Sequence, residues 1–223
     1  MFSGLDSYSL LSRLPLFQGM SGAEFDDIIS HVRLGFSKTE SGETVVVEGD
    51  SADRLVFVVK GEVVSEVFAA DHGYSVAEVL HAPCVLQPEA LFGLTQHYTK
   101  TFRAATPCNM LSISKADAVA LTTTSEVFRI NVLNTLCTLA QKLQRMPWRV
   151  KPQSVRQKIF FFVGNRCSRP AGRKVVNIGM VRLGNEISES RLNVSRELKA
   201  LHNEGLIIQK RNSFIIPALE KLI

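Results

Sequence analysis

Residues 187–217 read ISESRLNVSRELKALHNEGLIIQKRNSFIIP. Val194, Leu198 and Leu201 recur at helical spacing, so a helix here buries one side and turns Leu192, Arg196, Lys199 and Asn203 outward. Its end at Asn203-Glu204-Gly205 puts glycine where a left-handed cap costs least. Two apolar β segments follow, around the polar turn Lys210-Arg211-Asn212-Ser213. Upstream of the Ser188-Glu189-Ser190 turn, Val181, Leu183 and Ile187 mark another short helix. Two helices close together, then a β-hairpin, predict a winged helix-turn-helix.

A DNA major groove admits one such helix, and its base edges match these side chains. Arginine pairs with guanine O6 and N7, asparagine with adenine, and an exposed apolar group with a thymine methyl. The candidate DNA-contacting residues are Ser190, Arg191, Leu192, Asn193, Ser195, Arg196 and Lys199, with Lys210 and Arg211 from the turn. Leu192 has two readings, a methyl reader or packing against the other helices of its domain.

The charge distribution is uneven. Residues 1–147 hold 11 Lys+Arg against 16 Asp+Glu, and residues 148–223 hold 15 against 5, so net charges of −5 and +10 sit on the two parts. A small module this basic attracts a polyanion through long-range attraction and counterion release. A solvated basic surface is the bland alternative.

The acidic part follows a different pattern. From Leu34 to about Ser114, short Val-rich runs are separated by Ser41-Gly42, Gly49-Asp50, Lys60-Gly61 and His72-Gly73. Alternating runs bounded by turn residues predict an antiparallel barrel or sandwich. Gly22–Val32 precedes it as a helix with Phe25, Ile28, Ile29 and Val32 on one side. After it, Val132, Leu136, Leu139, Leu143 and Met146 step by four and three, the spacing that packs two parallel helices. That seam either joins two copies of the chain or packs on its own barrel. Pro147 and Pro152 bracket a hinge at 148–151, and Ser154–Val163 is an amphipathic helix carrying Val155, Ile159, Phe162 and Val163.

With these residues in place, the chain resembles the CRP/FNR family of bacterial transcription regulators, the relatives of the cyclic AMP receptor protein. The resemblance runs through SGETVVVEGDSADRLVFVVKGEV, PEALF with FRAAT, LAQKLQ, SVRQKI and ISESRLNVSRELKALHNEGLI. It implies an α+β protein: a cupin-like β-roll (double-stranded β-helix) sensor at 1–115, a dimerisation helix at 116–147 and a winged helix-turn-helix at 148–223. It further implies a homodimer on palindromic double-stranded DNA, RNA polymerase as partner, and a small-molecule effector. Arg191 and Arg196 fall on the family's contacting arginines. Leu192 replaces the prototype's glutamate, so the half-site differs, because leucine accepts nothing from cytosine.

The resemblance also locates an effector pocket at Glu89, Ala90, Leu91, Tyr98, Thr99, Leu139, Leu143 and Met146. Glu89 matches the ribose-binding glutamate of the cyclic-AMP cassette. Tyr98 and Thr99 occupy its Arg-Ser phosphate positions, and Met146-Pro147 replaces a Thr-Ser pair near the adenine. A cyclic phosphate buried without its guanidinium loses a charge-assisted contact. Control by cyclic AMP in the usual way is therefore not expected, and Glu89 alternatively reads as a solvated carboxylate.

Cys84, Cys108, Cys137 and Cys167 lie far apart, without the clustered N-terminal cysteines of the family's iron-sulfur variant, so neither that cluster nor a metal site is expected. His72, His81, His97 and Met146 leave haem open. No nucleophile elbow or phosphate-cradling loop appears, which argues against an enzyme. The first residues lack a signal-peptide order and no run reaches membrane-spanning length, so a cytoplasmic protein without membrane partners is expected. The competing reading is a ligand-binding or catalytic cupin-like protein whose basic tail binds another anion.

Overall fold

The computed structural model describes residues 4–148 and 150–222, without the side chains of 4–7 and Pro147; Arg149 of the predicted hinge lies outside the described residues. The chain divides into two compact units, Met1–Val63 with Leu80–Arg145, and Val64–Val79 with Met146–Ile223. Together they make a mixed α+β fold.

The first unit opens with α1 (Gly4–Leu11), a 3-10 turn at Pro15–Phe17 and α2 (Gly22–His31), followed by β1 (Leu34–Thr39), β2 (Thr44–Val46) and β3 (Arg54–Lys60). Two long strands, β4 (Glu62–Phe68) and β5 (Ser75–His81), leave this unit after Val63 and return to it at Leu80. Then come β6 (Cys84–Leu86), a 3-10 turn at Pro88–Leu91, β7 (Thr101–Ala104), β8 (Cys108–Ser114), α3 (Lys115–Thr124) and α4 (Glu126–Arg145). One antiparallel sheet runs β1-β8-β3-β6, and β2 pairs with β7 to continue the roll.

Strand alternation explains the continuous apolar run of β3. Leu55 and Phe57 join a core with Phe17, Phe25, Leu121 and Phe128 on the helical side. Val56 and Val58 point the other way, into the roll, with Leu86, Tyr98 and Phe102. β8 splits likewise, Leu111 and Ile113 against Cys108 and Met110. A sheet covered on both faces needs apolar residues at every position.

The stretch 116–147, expected as one helix, is divided at Ser125. Thr122, Thr123 and Thr124 turn their hydroxyls back onto the carbonyls of Val119 and Ala120. Such bonds compete with helix continuation. Ser125 Oγ then accepts from Phe128 N at 3.3 Å and starts α4 afresh.

The second unit adds α5 (Val155–Gly164), β9 (Lys174–Asn177), α6 (Met180–Ile187), α7 (Arg191–Asn203), β10 (Ile208–Lys210) and β11 (Ser213–Ile216) to the β4–β5 hairpin. Its strands lie in the order β10-β11-β9-β5-β4. The pairing Ser75↔Asn177, Val76↔Val176, Ala77↔Val175 and Glu78↔Lys174 was not anticipated from sequence. β9 has only four residues, follows the RCSRPAGRK loop, and finds its partner far earlier in the chain. Val76 thereby enters a core with Ile159, Phe162, Leu183, Val194 and Phe214. A capping box between Ser154 and Gln157 starts α5. Of the three apolar residues that mark α6, Val181 is 59% exposed, whereas Leu183 and Ile187 are buried. Among the described residues no helix is long and apolar enough to cross a membrane.

Candidate nucleic-acid interface

α7 is held from below. Val194, Leu198 and Leu201 are buried, so the opposite side of the helix faces outward. Leu192 is 66% exposed, and Arg191, Arg196, Lys199 and Asn203 are exposed with it. Leu192 therefore does not pack against the neighbouring helices of its unit. Ser195 and Asn193 are half-buried.

The amino end of α7 is fixed by its cap. Ser190 Oγ accepts from Asn193 N at 3.1 Å, which commits that hydroxyl to the first turn. Asn193 Nδ2 donates to Glu189 Oε2 at 3.0 Å, and Lys158 Nζ meets the other oxygen of Glu189 at 2.6 Å. The Lys158 hydrogen bond, helped by Asn193, holds the Glu189 carboxyl below the ordinary carboxylate value. An ionised Glu189 keeps the Asn193 amide oriented while Lys158 cancels its charge beside a basic face.

The turn between α6 and α7 requires close approach. Ser188 adopts a left-handed conformation (φ 55°), and Glu189 N donates to Gly184 O at 2.8 Å. The far end is tied by Arg156 of α5, whose Nε donates to Glu197 Oε1 at 2.7 Å and whose two terminal nitrogens grip Glu204 at 2.9 and 2.6 Å. Gly205 follows with φ 73°, the expected left-handed residue. Beyond it Lys210 pairs with Ser213, leaving Arg211 and Asn212 as an exposed turn with Asn212 left-handed.

Sequence reasoning missed these supports, and it missed a buried ion pair. Lys174 Nζ meets Glu78 Oε2 at 2.8 Å with side chains 1% and 5% exposed. The signal available was a lone carboxylate in SVAEVLH and a lone ammonium in KVVN, each set in an apolar strand. Burial pushes the Glu78 carboxyl up, but the hydrogen bond and charge of Lys174 and the amides of Ser168 and Arg169 outweigh it and hold it low.

The effector residues predicted in the roll are not brought to one lining. Ala90 and Tyr98 lie in the roll interior, whereas Leu91 lies in the core on the helical side. The Tyr98 hydroxyl donates to Arg54 O at 3.2 Å, and burial raises its phenol above the ordinary value. Thr99 is bonded twice by Gln87, through its hydroxyl at 2.8 Å and its amide at 3.1 Å. Glu89 is exposed, Leu139 is half-buried and Leu143 is 65% exposed on α4, and Met146 falls in the second unit. His81 contacts Glu62, His97 contacts the Gly49 carbonyl and His72 sits at the β4–β5 turn. Among the described residues no group of three or more His, Cys, Asp or Glu is placed to hold a metal.

Residues 37–131 match the family described as cyclic nucleotide-binding domain. A CRP/FNR-family transcriptional regulator from Eubacterium rectale superposes with a TM-score of 0.54 over 95% of this chain and 97% of its own, at 15% identity. The chain has the CRP/FNR fold. The sensor domain of the transcriptional regulator DNR from Pseudomonas aeruginosa matches 68% of this chain and 98% of its own, with a TM-score of 0.53 and 16% identity. Comparison with curated proteins finds no match. The matched residues contain the expected cyclic-nucleotide-type β-roll.

Proposed function

We propose that this protein is a dimeric, DNA-binding transcription regulator that is not controlled by cyclic AMP. The second unit acts as a winged helix-turn-helix: α7 enters the major groove and the β10–β11 hairpin, with Lys210 and Arg211, lies against the phosphates. The observation that carries this reading is the exposed stripe Leu192, Arg196 and Lys199 over the buried Val194, Leu198 and Leu201. Arg191 and Arg196 read guanine, Leu192 a thymine methyl, and Asn193, held by Glu189, presents its amide oxygen. Ser195 supplies a hydroxyl, and Ser190 contributes through the cap that sets the helix start.

The half-buried Leu136 and Leu139 and the exposed Leu143 of α4 form the seam with a second copy. Two α7 helices about 34 Å apart then engage successive turns of a palindromic site. RNA polymerase is the downstream partner implied by the family resemblance, and a small molecule other than cyclic AMP is the effector. Tyr98 and Thr99, one buried in the roll and the other bonded by Gln87, offer a cyclic phosphate no cation.

The test is selection of binding sites from a random duplex library, followed by titration at several salt concentrations. A palindromic consensus is expected, with affinity falling steeply with salt and each of Arg191→Ala and Arg196→Ala costing roughly 1–3 kcal/mol. Unchanged affinity in both variants overturns the assignment.

A further inference from the structure

We infer that the hairpin Val64–Val79 is an obligatory part of the DNA-binding unit and the element through which a change in the β-roll reaches α6 and α7. The first clause is structural; the second rests on the function proposed above.

β5 covers one edge of β9 along four residue pairs, while β11 covers the other. Val76, 3% exposed, completes the core that also supports Val194 and Leu198 of α7. Removing β5 leaves β9 an open edge over an uncovered core. It also leaves Lys174, 1% exposed, as a buried ammonium without its carboxylate. Breaking a buried pair at one partner is far more costly than replacing both by apolar groups. Glu78 in addition receives the amides of Ser168 and Arg169, so the loop leading into β9 is ordered by the hairpin too.

The turn end of the hairpin grips the helices. Arg166, just past the end of α5, donates through Nε to the Tyr74 hydroxyl at 2.9 Å, and that hydroxyl donates to Glu186 Oε2 of α6 at 3.3 Å. Arg182 of α6 bridges Glu186 at 3.0 Å and Asp71 at 2.8 Å. The chain enters this hairpin directly from the roll at Val63 and rejoins the roll at Leu80, without a linker on either side. α6, which sets the turn into α7, is held by two residues of that hairpin, Asp71 and Tyr74.

The experiment uses the full chain. Hydrogen exchange is followed by mass spectrometry in 74–79, 174–177 and the roll strand 54–60, in the native protein, in Lys174→Met, and in Glu78→Leu with Lys174→Met. Slow exchange in 74–79 and 174–177 is expected natively, accelerated together by about tenfold or more in Lys174→Met and restored in the double variant, with 54–60 unchanged. Rapid native exchange in 74–79, or acceleration confined to 174–177, overturns the structural clause. For coupling, duplex affinity is compared in the same proteins. Loss in Lys174→Met with recovery in the double variant is expected, and affinity unchanged despite a loosened hairpin overturns the relay. If the native protein fails to bind duplex DNA, the functional reading and the relay fall together, while the exchange result still decides the structural clause.

Discussion

A Cβ on Gly184 would stand 2.6 Å from the carbonyl oxygen of Glu189. That oxygen belongs to the turn that aims α7, and backbone does not step aside cheaply. Alanine is the better helix former by up to about 1 kcal/mol, but the clash outweighs it. Gly184→Ala is expected to destabilise the second unit by about 1–3 kcal/mol, read as a lower thermal midpoint. A midpoint equal to or above that of the native protein contradicts the close approach.

Acid should weaken the same unit through Glu78. Its folded pKa lies below the ordinary 4.5, because Lys174 and two backbone amides overcome burial. A depressed folded value gives stabilisation that is complete above the unfolded pKa and lost as pH falls through the folded one. Thermal midpoints measured from neutral pH to below pH 4.5 should fall, and the double variant Glu78→Leu with Lys174→Met should fall less. Equal slopes in the two proteins exclude Glu78 as the source.

Much of this architecture was legible because local pattern and tertiary environment agree. The continuous apolar run of β3 between turn residues and the Val194, Leu198, Leu201 stripe each need only nearby residues to be read. β9 escaped because a strand of four residues carries little pattern, and its partner, Ser75–Glu78, lies about a hundred residues earlier in the acidic part of the sequence. The break at Ser125 was written in three successive threonines, whose backbone bonds oppose a helix that the leucine spacing favours. For the outer face of α7, Leu192 had two readings, and only the packing beneath the helix separates them. The Asn193–Glu189–Lys158 relay joins elements distant in sequence and left no local trace.

Cyclic AMP should leave the protein unmoved. A ligand bound to the folded state at a hundred times its dissociation constant raises stability by about 2.7 kcal/mol, a shift calorimetry detects readily. None is expected here, since Tyr98 is 4% exposed and serves the roll interior. Tyr98→Phe should cost about 1 kcal/mol by orphaning the Arg54 carbonyl, which marks the phenol as structural. A cyclic-AMP-dependent midpoint reverses this reading.

The exposed face of α7 predicts a split between stability and sequence preference. Leu192→Glu touches no core residue, so the thermal midpoint should move by no more than the equivalent of about 0.5 kcal/mol. Its carboxylate accepts from a cytosine amino group, which leucine cannot do, so the selected half-site should change at one position by roughly 1–3 kcal/mol. A stability loss with unchanged preference would place Leu192 in packing after all.

Self-association should depend on the outer end of α4. Phe128 is buried in the unit's own core and Val132 packs partly against it, so the seam's first member is satisfied within one chain. Leu136 and Leu139 are half-buried, and Leu143 is 65% exposed. An apolar stripe that grows more exposed along a helix gains most from a partner at its far end. Leu143→Lys puts like charges opposite each other across a parallel seam, and the cost of such a change at an interface centre is about 2 kcal/mol or more. Sedimentation velocity should show a dimer for the native protein and a shift to monomer for Leu143→Lys at the same concentration, with the thermal midpoint of each unit retained. A native monomer, or a dimer indifferent to this substitution, assigns the stripe to another partner and removes the two-fold symmetry that a palindromic site requires.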